Sequence, residues 1–207
     1  MKFTYEEFDL SGLRTYPLKS RKSKVTTADF GRPSDRGTTV GRFLDSLPNV
    51  LAARDLRAVV GAIVAATHNE GGVLWGLGAH VIKTGLGPVL IDLMQRGFVS
   101  AIATNGAAVI HDFEIALAGA TSEDVDEALG PGRFGMADET GRLLNGAIND
   151  GVRAGLGIGQ AVGQFLHLRQ PQFARSSVLA AAARLDIPVT VHVAIGADII
   201  QIGRAHV

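Results

Sequence analysis

The sequence predicts an α/β fold, a three-layer sandwich around a mostly parallel sheet. Hydrophobic residues make up 46% of the 207 positions and aromatic residues only 6%, a composition that suits helices packed on a Val- and Ile-rich sheet. Short apolar runs typical of buried strands alternate with longer stretches of helical periodicity. Each predicted strand ends in a glycine-containing turn with a polar residue beyond it. This alternation predicts βαβ units with parallel strands and right-handed connections.

Three strands are predicted, at 73–77, 98–103 and 187–193. Between the first two, a helix begins at Thr84 or Gly85 and ends before Gly97, a suitable C-cap. The second strand leads through a turn at Asn105 into a helix that ends at Ala118. A strand, a helix and a second strand in this order form one βαβ unit.

The remaining helices are predicted from capping residues and periodicity. Asn49 is a plausible N-cap for a helix over 50–67. Thr121 opens a capping-box pattern that starts a short acidic helix to Leu129. Further helices are predicted at 39–47, 137–154 and 159–168, and from Ser176 or Ser177 to Leu185.

The predicted organisation has three parts. Residues 1–38 form an irregular arm whose basic segment Leu18–Lys24 is either a solvated loop or an oligomer contact. Residues 39–201 form one α/β domain, which we expect to be incomplete. The hexapeptide Ile202–Val207 resembles the translation of a sequencing-adapter oligonucleotide. We therefore expect a truncated reading frame with native sequence ending near Gln201; a natural short tail is the alternative.

Charge and composition exclude several classes of function. Lys plus Arg and Asp plus Glu number 20 each, so the formal net charge is zero and nothing draws the chain to nucleic acid or an anionic membrane. The lack of cysteine excludes disulfides and thiolate metal sites. The first eight residues lack a signal-peptide core, and no apolar run approaches the roughly 18 residues of a membrane span. These features predict a soluble cytoplasmic protein.

Two glycine-rich turns within Gly78 to Glu114 carry the predicted ligand site. The first turn holds His80 and Lys83, and the second begins at Thr104. Because the carboxyl ends of parallel strands meet at one edge of a sheet, both turns should lie where α/β proteins bind ligands. Lys83 suits a phosphate or carboxylate, although a surface lysine near a helix start is the alternative.

The second turn, 104–108, opens a helix with small side chains. The backbone N–H groups at such a helix start have no intrahelical partner and can receive an anion or ribose-phosphate. The segment TNGAA is not a GxGxxG fingerprint, so a tight packing turn remains the alternative. Asp198, after the third strand, stands where a carboxylate that binds ribose or an amine would lie.

His111, Asp112 and Glu114 follow one turn into that helix. His111 and Glu114 are three residues apart and therefore share a face, whereas Asp112 points about 100° away. A histidine and a carboxylate beside a ligand suit general acid–base work or the binding of a cationic amine. The alternative is that Asp112 anchors a neighbouring loop and Glu114 is solvated. HDxE is not an established metal spacing, so no metal is predicted.

The order of these segments resembles the deoxyhypusine synthase family from about Val40 to Ile200. The resemblance includes GRFLDSL, AHVIKTGL, LIDLMQRGFVSAIATNGAAVIHDFEIAL and SSVLAAAARLDIPVTVHVAIGAD. It implies a Rossmann-like fold that binds NAD. The implied cofactor residues are Ala79, His80, Lys83, Thr104, Asn105, Gly106 and Ala107, with Asp198 as a further candidate.

The sequence departs from the family in four places. His111 and Asp112 stand where the family has an acidic pair, so one carboxylate remains. Asn105-Gly106-Ala107 replaces a Thr-Ala-Gly-like turn. Asp198 is displaced from the position of a Thr-Asp-Gly motif. The Gly-rich motif with the family's catalytic lysine does not occur in these 207 residues.

The resemblance implies an NAD-dependent transferase that acts on a polyamine such as spermidine. NAD would oxidise the polyamine, and a butylamine unit would pass to a protein lysine or another amine. Asp112 and Glu114 would hold or deprotonate the amine, and His111 would act as acid or base. The alternatives are an NAD-binding protein without synthase activity and a hydrolase that uses His111 and Asp112. The resemblance also implies a homotetramer with sites between subunits.

Overall fold

A computed structural model describes residues 9–194. The chain divides into two compact units, residues 1–60 and 61–207, which are described separately. Asp198 and the suspected tail at 202–207 lie outside the described residues. The domain limits at residues 38 and 201 stay predictions.

Residues 9–39 of the first unit contain little regular structure. Two 3-10 turns, Leu18–Ser20 and Thr27–Asp29, interrupt an otherwise irregular segment. Helix α1 spans Val40–Ser46 and begins where the side chain of Thr39 accepts a hydrogen bond from a backbone N–H. Helix α2 spans Leu51–His68 and continues into the second unit; none of its residues is buried.

The second unit is built on a three-stranded parallel sheet in the order β1-β2-β3. The strands are β1 (Leu74–Gly76), β2 (Ala101–Asn105) and β3 (Val189–His192). Trp75 pairs with Ile102, and Ile102 pairs with Val189 on the other side. The predicted α/β class and its parallel strand pairing are confirmed.

Seven helices of the second unit follow α2 within the described residues. They are α3 (Ala79–Lys83), α4 (Gly87–Gln95), α5 (Gly106–Ala118), α6 (Val125–Leu129), α7 (Asp138–Arg153), α8 (Ile158–Arg169) and α9 (Val178–Arg184). Helices α5, α7 and α8 lie within one residue of their predicted bounds.

The first glycine turn differs from the prediction. Residues 79–83 form helix α3 instead of a loop, and a second helix, α4, follows it. Gly85 separates the two helices because its φ of 83° lies in the left-handed region that favours glycine. Pro88 in the first turn of α4 then restarts the helix. The single helix predicted from Thr84 or Gly85 is therefore wrong at its start.

The capping box predicted at Thr121 does not form. Asp124 is the N-cap of α6, and its carboxylate accepts from the backbone N–H groups of Asp126 and Glu127. Thr121 instead donates its hydroxyl proton to Glu114, at 2.6 Å. A short acidic helix is present, but it begins three residues later than the pattern would require.

The sheet has one covered face. Ile102 and Thr104 are 0% and 7% exposed on the side that packs against helices. On the opposite side Leu74 is 69% exposed, and Thr190 and His192 are also exposed. β2 lies beside β1, and β3 lies beside β2 on the side away from β1. Because both connections are right-handed crossovers, their helices lie on the same face of the sheet. The third layer of the predicted sandwich is therefore not formed on this sheet by the described residues.

The core lies between the covered face and the helices, in two adjoining clusters. The first joins α4 and α9 to the middle of β2, around Ile91, Met94 and Ile102. The second joins α5, α7, α8 and α9, around Phe113 and Leu144. Helix α5 is thereby held from its first turn, at Ala108 and Val109. This packing fixes the positions of the polar residues on α5.

Candidate functional site

The two glycine turns meet at the carboxyl edge of the sheet. Thr104 Oγ1 donates to the carbonyl oxygen of Leu77 at 2.9 Å, and the N–H of Leu77 donates to the carbonyl of Ala103 at 3.0 Å. A methyl group built on Gly78 would lie 3.7 Å from Nδ2 of Asn105. The turn after β1 and the turn after β2 are therefore neighbours.

The start of α5 presents hydrogen-bond donors to this edge. Asn105 is its N-cap, because Oδ1 accepts from the N–H of Ala108 at 3.0 Å. The N–H group of Ala107 has no partner within the helix, whereas Gly106 is buried where β2 pairs with β3. Nδ2 of Asn105, which is exposed, has no acceptor among the described residues. These donors and the positive end of the helix dipole suit an anion.

The first turn contributes a short basic helix. Ala79 is half-buried, whereas His80 and Lys83 are exposed on α3. Helix α3 packs against α5. Lys83 and His80 lie near enough to His111 on α5 to add to the effect of burial, which lowers the pKa of His111.

Four side chains form a hydrogen-bonded network beside α5. Nδ1 of His111 lies 2.6 Å from Oγ1 of Thr121, and that hydroxyl donates to Oε2 of Glu114 at 2.6 Å. Thr140 donates to Oε1 of Glu114 at 3.1 Å. His111 and Glu114 are also within ion-pair range, with Nδ1 and Oε2 3.8 Å apart. We call this set of four residues the His111 network.

The surroundings of His111 favour its neutral form. Burial lowers the pKa of the imidazole below its ordinary value of 6.5. The carboxylate of Glu114 opposes this effect, and the charges of Lys83 and His80 add to it. A neutral imidazole near pH 7 can accept a proton.

Asp112 lies on the buried side of α5 and has a different set of partners. It is 1% exposed. Its carboxylate accepts from the hydroxyl of Ser177 at 2.6 Å and from the N–H groups of Val178 and Leu179 at 2.7 and 3.0 Å. Burial raises the pKa of Asp112, and the three hydrogen bonds oppose that rise.

The predicted catalytic role of Asp112 has no support in this arrangement. Asp112 anchors the start of α9, whereas Glu114 contacts two threonines. The two carboxylates are therefore engaged by different elements and do not form the expected pair around an amine. The structure instead shows the anchoring role that the sequence left open for Asp112.

A groove of about 690 Å³ borders Glu114. It runs between the end of α5, the following loop and the start of α7. Its lining residues include the aliphatic Leu117 and Leu143 and the acidic Glu114, Glu123 and Glu139. Within residues 9–194, no group of three or more His, Cys, Asp or Glu side chains is placed to hold a metal ion. No helix in that range has the length and apolar character needed to cross a membrane.

No protein-family model matches this sequence, and no curated protein matches it. A protein from Entamoeba histolytica assigned as a deoxyhypusine synthase shares 15% identity over 78% of this chain and 63% of that chain, with a TM-score of 0.49. A conserved LOR/SDH protein from Methanococcus maripaludis shares 20% identity over 86% of this chain and 48% of that chain, with a TM-score of 0.48. The cyanobacterial arginine dihydrolase ArgZ shares 18% identity over 71% of this chain and 19% of that chain, with a TM-score of 0.45.

These three likenesses are weak and concern the fold alone. The chain spans less than two thirds of the length of each of the three structures.

Two members of the His111 network, Thr121 and Thr140, were not among the residues selected from the sequence. Thr121 is 10 residues from His111, and Thr140 is 26 residues from Glu114. The only local signal at Thr121 was its capping-box pattern, which indicated a different role. No pattern in the sequence relates Thr140 to α5.

Proposed function

We propose that this protein binds NAD at the carboxyl edge of its sheet. The observation that carries the proposal is the adjacency of the two glycine turns, where Asn105 Nδ2 and the N–H group of Ala107 have no hydrogen-bond partner among the described residues. A pyrophosphate group suits such donors. The choice of NAD among dinucleotides comes from the resemblance of residues 40–200 to the deoxyhypusine synthase family.

The other proposed cofactor residues fall into two groups. His80 and Lys83 are exposed near this edge and are available to a phosphate or ribose. Thr104 is buried, and its hydroxyl joins β1 to β2, so its contribution is to hold the two turns together. Ala79 and Ala107 are half-buried and allow close approach of a ligand. Asp198 remains a proposed ribose or amine contact.

Transfer of an aminobutyl group from a polyamine such as spermidine is the proposed reaction. The groove beside Glu114 favours it, because a lining of aliphatic and acidic residues suits a flexible polyamine. In this proposal Glu114 holds the amine and His111 accepts a proton. The acceptor is a protein lysine or another amine, and the resemblance implies a homotetramer with sites between subunits.

An NAD-binding protein without synthase activity is the second candidate. The buried position of Asp112 favours it, because only one of the two expected carboxylates is left to contact an amine. Both candidates require the same NAD site.

Calorimetry with NAD, followed by an assay of spermidine-dependent NADH formation, separates the candidates. Binding together with NADH formation that is lost in Glu114→Gln supports the transferase. Binding without NADH formation rejects the transferase and leaves the second candidate. The absence of binding rejects both.

A further inference from the structure

The hydroxyl of Thr121 lies between His111 and Glu114 and contacts both. Its oxygen is 2.6 Å from Nδ1 of His111 and 2.6 Å from Oε2 of Glu114. The separation of the two oxygens is within the normal range for a hydrogen bond, and the separation of nitrogen and oxygen is slightly shorter than usual. A threonine hydroxyl has one proton, so it can donate to only one of these two neighbours.

Glu114 decides the direction of both hydrogen bonds. A carboxylate only accepts hydrogen bonds, so Thr121 must donate to it. Thr140, which is 7% exposed, donates to the other carboxylate oxygen at 3.1 Å. With its proton given to Glu114, Thr121 can only accept from His111.

We infer that Thr121 holds neutral His111 in the tautomer with its proton on Nδ1, which leaves the lone pair of Nε2 free to accept a hydrogen bond from a ligand. The described residues contain no hydrogen-bond partner for Nε2. The His111 side chain is 18% exposed, so it lies at a partly enclosed site. The matching ligand group is a donor, such as a hydroxyl or an amine N–H.

The loop after α5 places Thr121 for this role. Gly119 ends α5 in the left-handed conformation, with a φ of 71°. Ser122 is also left-handed, with a φ of 67°. Two such residues on either side of Thr121 turn the chain back onto the face of α5 that carries His111 and Glu114. Thr121 is thus a positioning residue, since it acts through His111.

The ligand contact rests on the proposed function, but the tautomer does not. The tautomer is a property of the protein without NAD, and ¹⁵N–¹H correlation spectra of the imidazole rings report it directly. The spectrum of His111→Gln assigns the His111 signals among the six histidines. Above the pKa of His111 we expect a pyrrole-type Nδ1 and a pyridine-type Nε2.

Two variants test whether Thr121 is the cause. Thr121→Val removes the hydroxyl at similar volume, and we expect a shift of His111 towards the tautomer protonated on Nε2. Thr121→Ser keeps the hydroxyl and should retain the wild-type tautomer. Backbone amide spectra show whether each variant is folded.

The inference is overturned if wild-type His111 carries its proton on Nε2, or if folded Thr121→Val keeps the proton on Nδ1. Should Thr121→Val fail to fold, the wild-type and Thr121→Ser spectra still show whether His111 carries its proton on Nδ1. Loss of the proposed NAD binding with an Nδ1-protonated His111 would reject the proposed function alone.

Discussion

Asp112 illustrates how a polar residue in a plausible catalytic position can serve the fold. Its carboxylate accepts three hydrogen bonds at the start of α9 and is almost completely buried. A buried carboxylate with this many donors fixes the end of a neighbouring helix at a defined position. The partners lie at least 65 residues away along the chain, so no local pattern could have distinguished an anchor from a catalytic acid.

Replacing Asp112 with alanine should destabilise the protein strongly. The change leaves the Ser177 hydroxyl and two backbone N–H groups without their acceptor, and buried unsatisfied donors cost about 1–3 kcal/mol each. We expect the free energy of unfolding, measured with urea, to fall by about 3 kcal/mol or more. Asp138→Ala is the matched control: its carboxylate is 73% exposed and pairs only with Arg142, so it should change stability by less than about 1 kcal/mol. A small effect of Asp112→Ala would show that the anchor is unimportant.

His111 should titrate below its ordinary value of 6.5. The unfolded chain then binds a proton at His111 more tightly than the folded protein, so stability rises with pH between the folded pKa and 6.5. The contribution of His111 to the free energy of unfolding is fully present above pH 6.5, and it is lost as the pH falls towards the pKa of His111 in the folded protein. NMR titration measures the folded value, and Lys83→Gln should raise it whereas Glu114→Gln should lower it further. The same direction of shift in both variants would contradict the assigned charges.

At the scale of elements, the sequence predicts the bounds of a helix correctly where capping residues and apolar periodicity indicate the same start and end. Helix α5 has the predicted bounds because Asn105 caps its start and Gly119 its end. The break between α3 and α4 was missed, although Gly85 and Pro88 were visible in the sequence, because apolar periodicity continues across them. The His111 network joins α5 to a loop and to α7 through contacts over 7 to 26 residues. Such contacts depend on tertiary structure, and no periodic pattern in the sequence indicates them.

Glycine positions test the packing of α8 against α9. A Cβ at Gly163 would lie 2.7 Å from the carbonyl oxygen of Leu179 and 3.2 Å from Cβ of Ala183. Gly163→Ala should therefore destabilise the protein by about 1–3 kcal/mol. At Gly146 on α7 a Cβ would meet nothing within 4 Å, so Gly146→Ala should stabilise by up to about 1 kcal/mol through helix propensity. Urea unfolding measures both variants, and effects of the same sign would contradict the described packing.

At the scale of the whole molecule, the sheet is covered on one face because its strands are added in one direction. A ligand crevice in an open α/β sheet forms where the strand order reverses. The order β1-β2-β3 contains no reversal within the described residues. The parallel class was predictable from alternating strands and helices, whereas the number of layers was not, because it depends on the direction of strand addition. The proposed NAD site therefore rests on the two adjacent turns.

The most direct test of the central claim is a residue-resolved NMR titration of the backbone amides with NAD. We predict that the largest shifts occur at 79–83 and 104–107. Ala107→Glu should abolish them, because a carboxylate in the first turn of α5 repels a pyrophosphate while remaining favourable for the helix dipole. Gln160→Glu, an exposed substitution in the first turn of α8, should leave them unchanged. Shifts confined to other residues, or none at saturating NAD, would contradict the assignment of this edge as an NAD site.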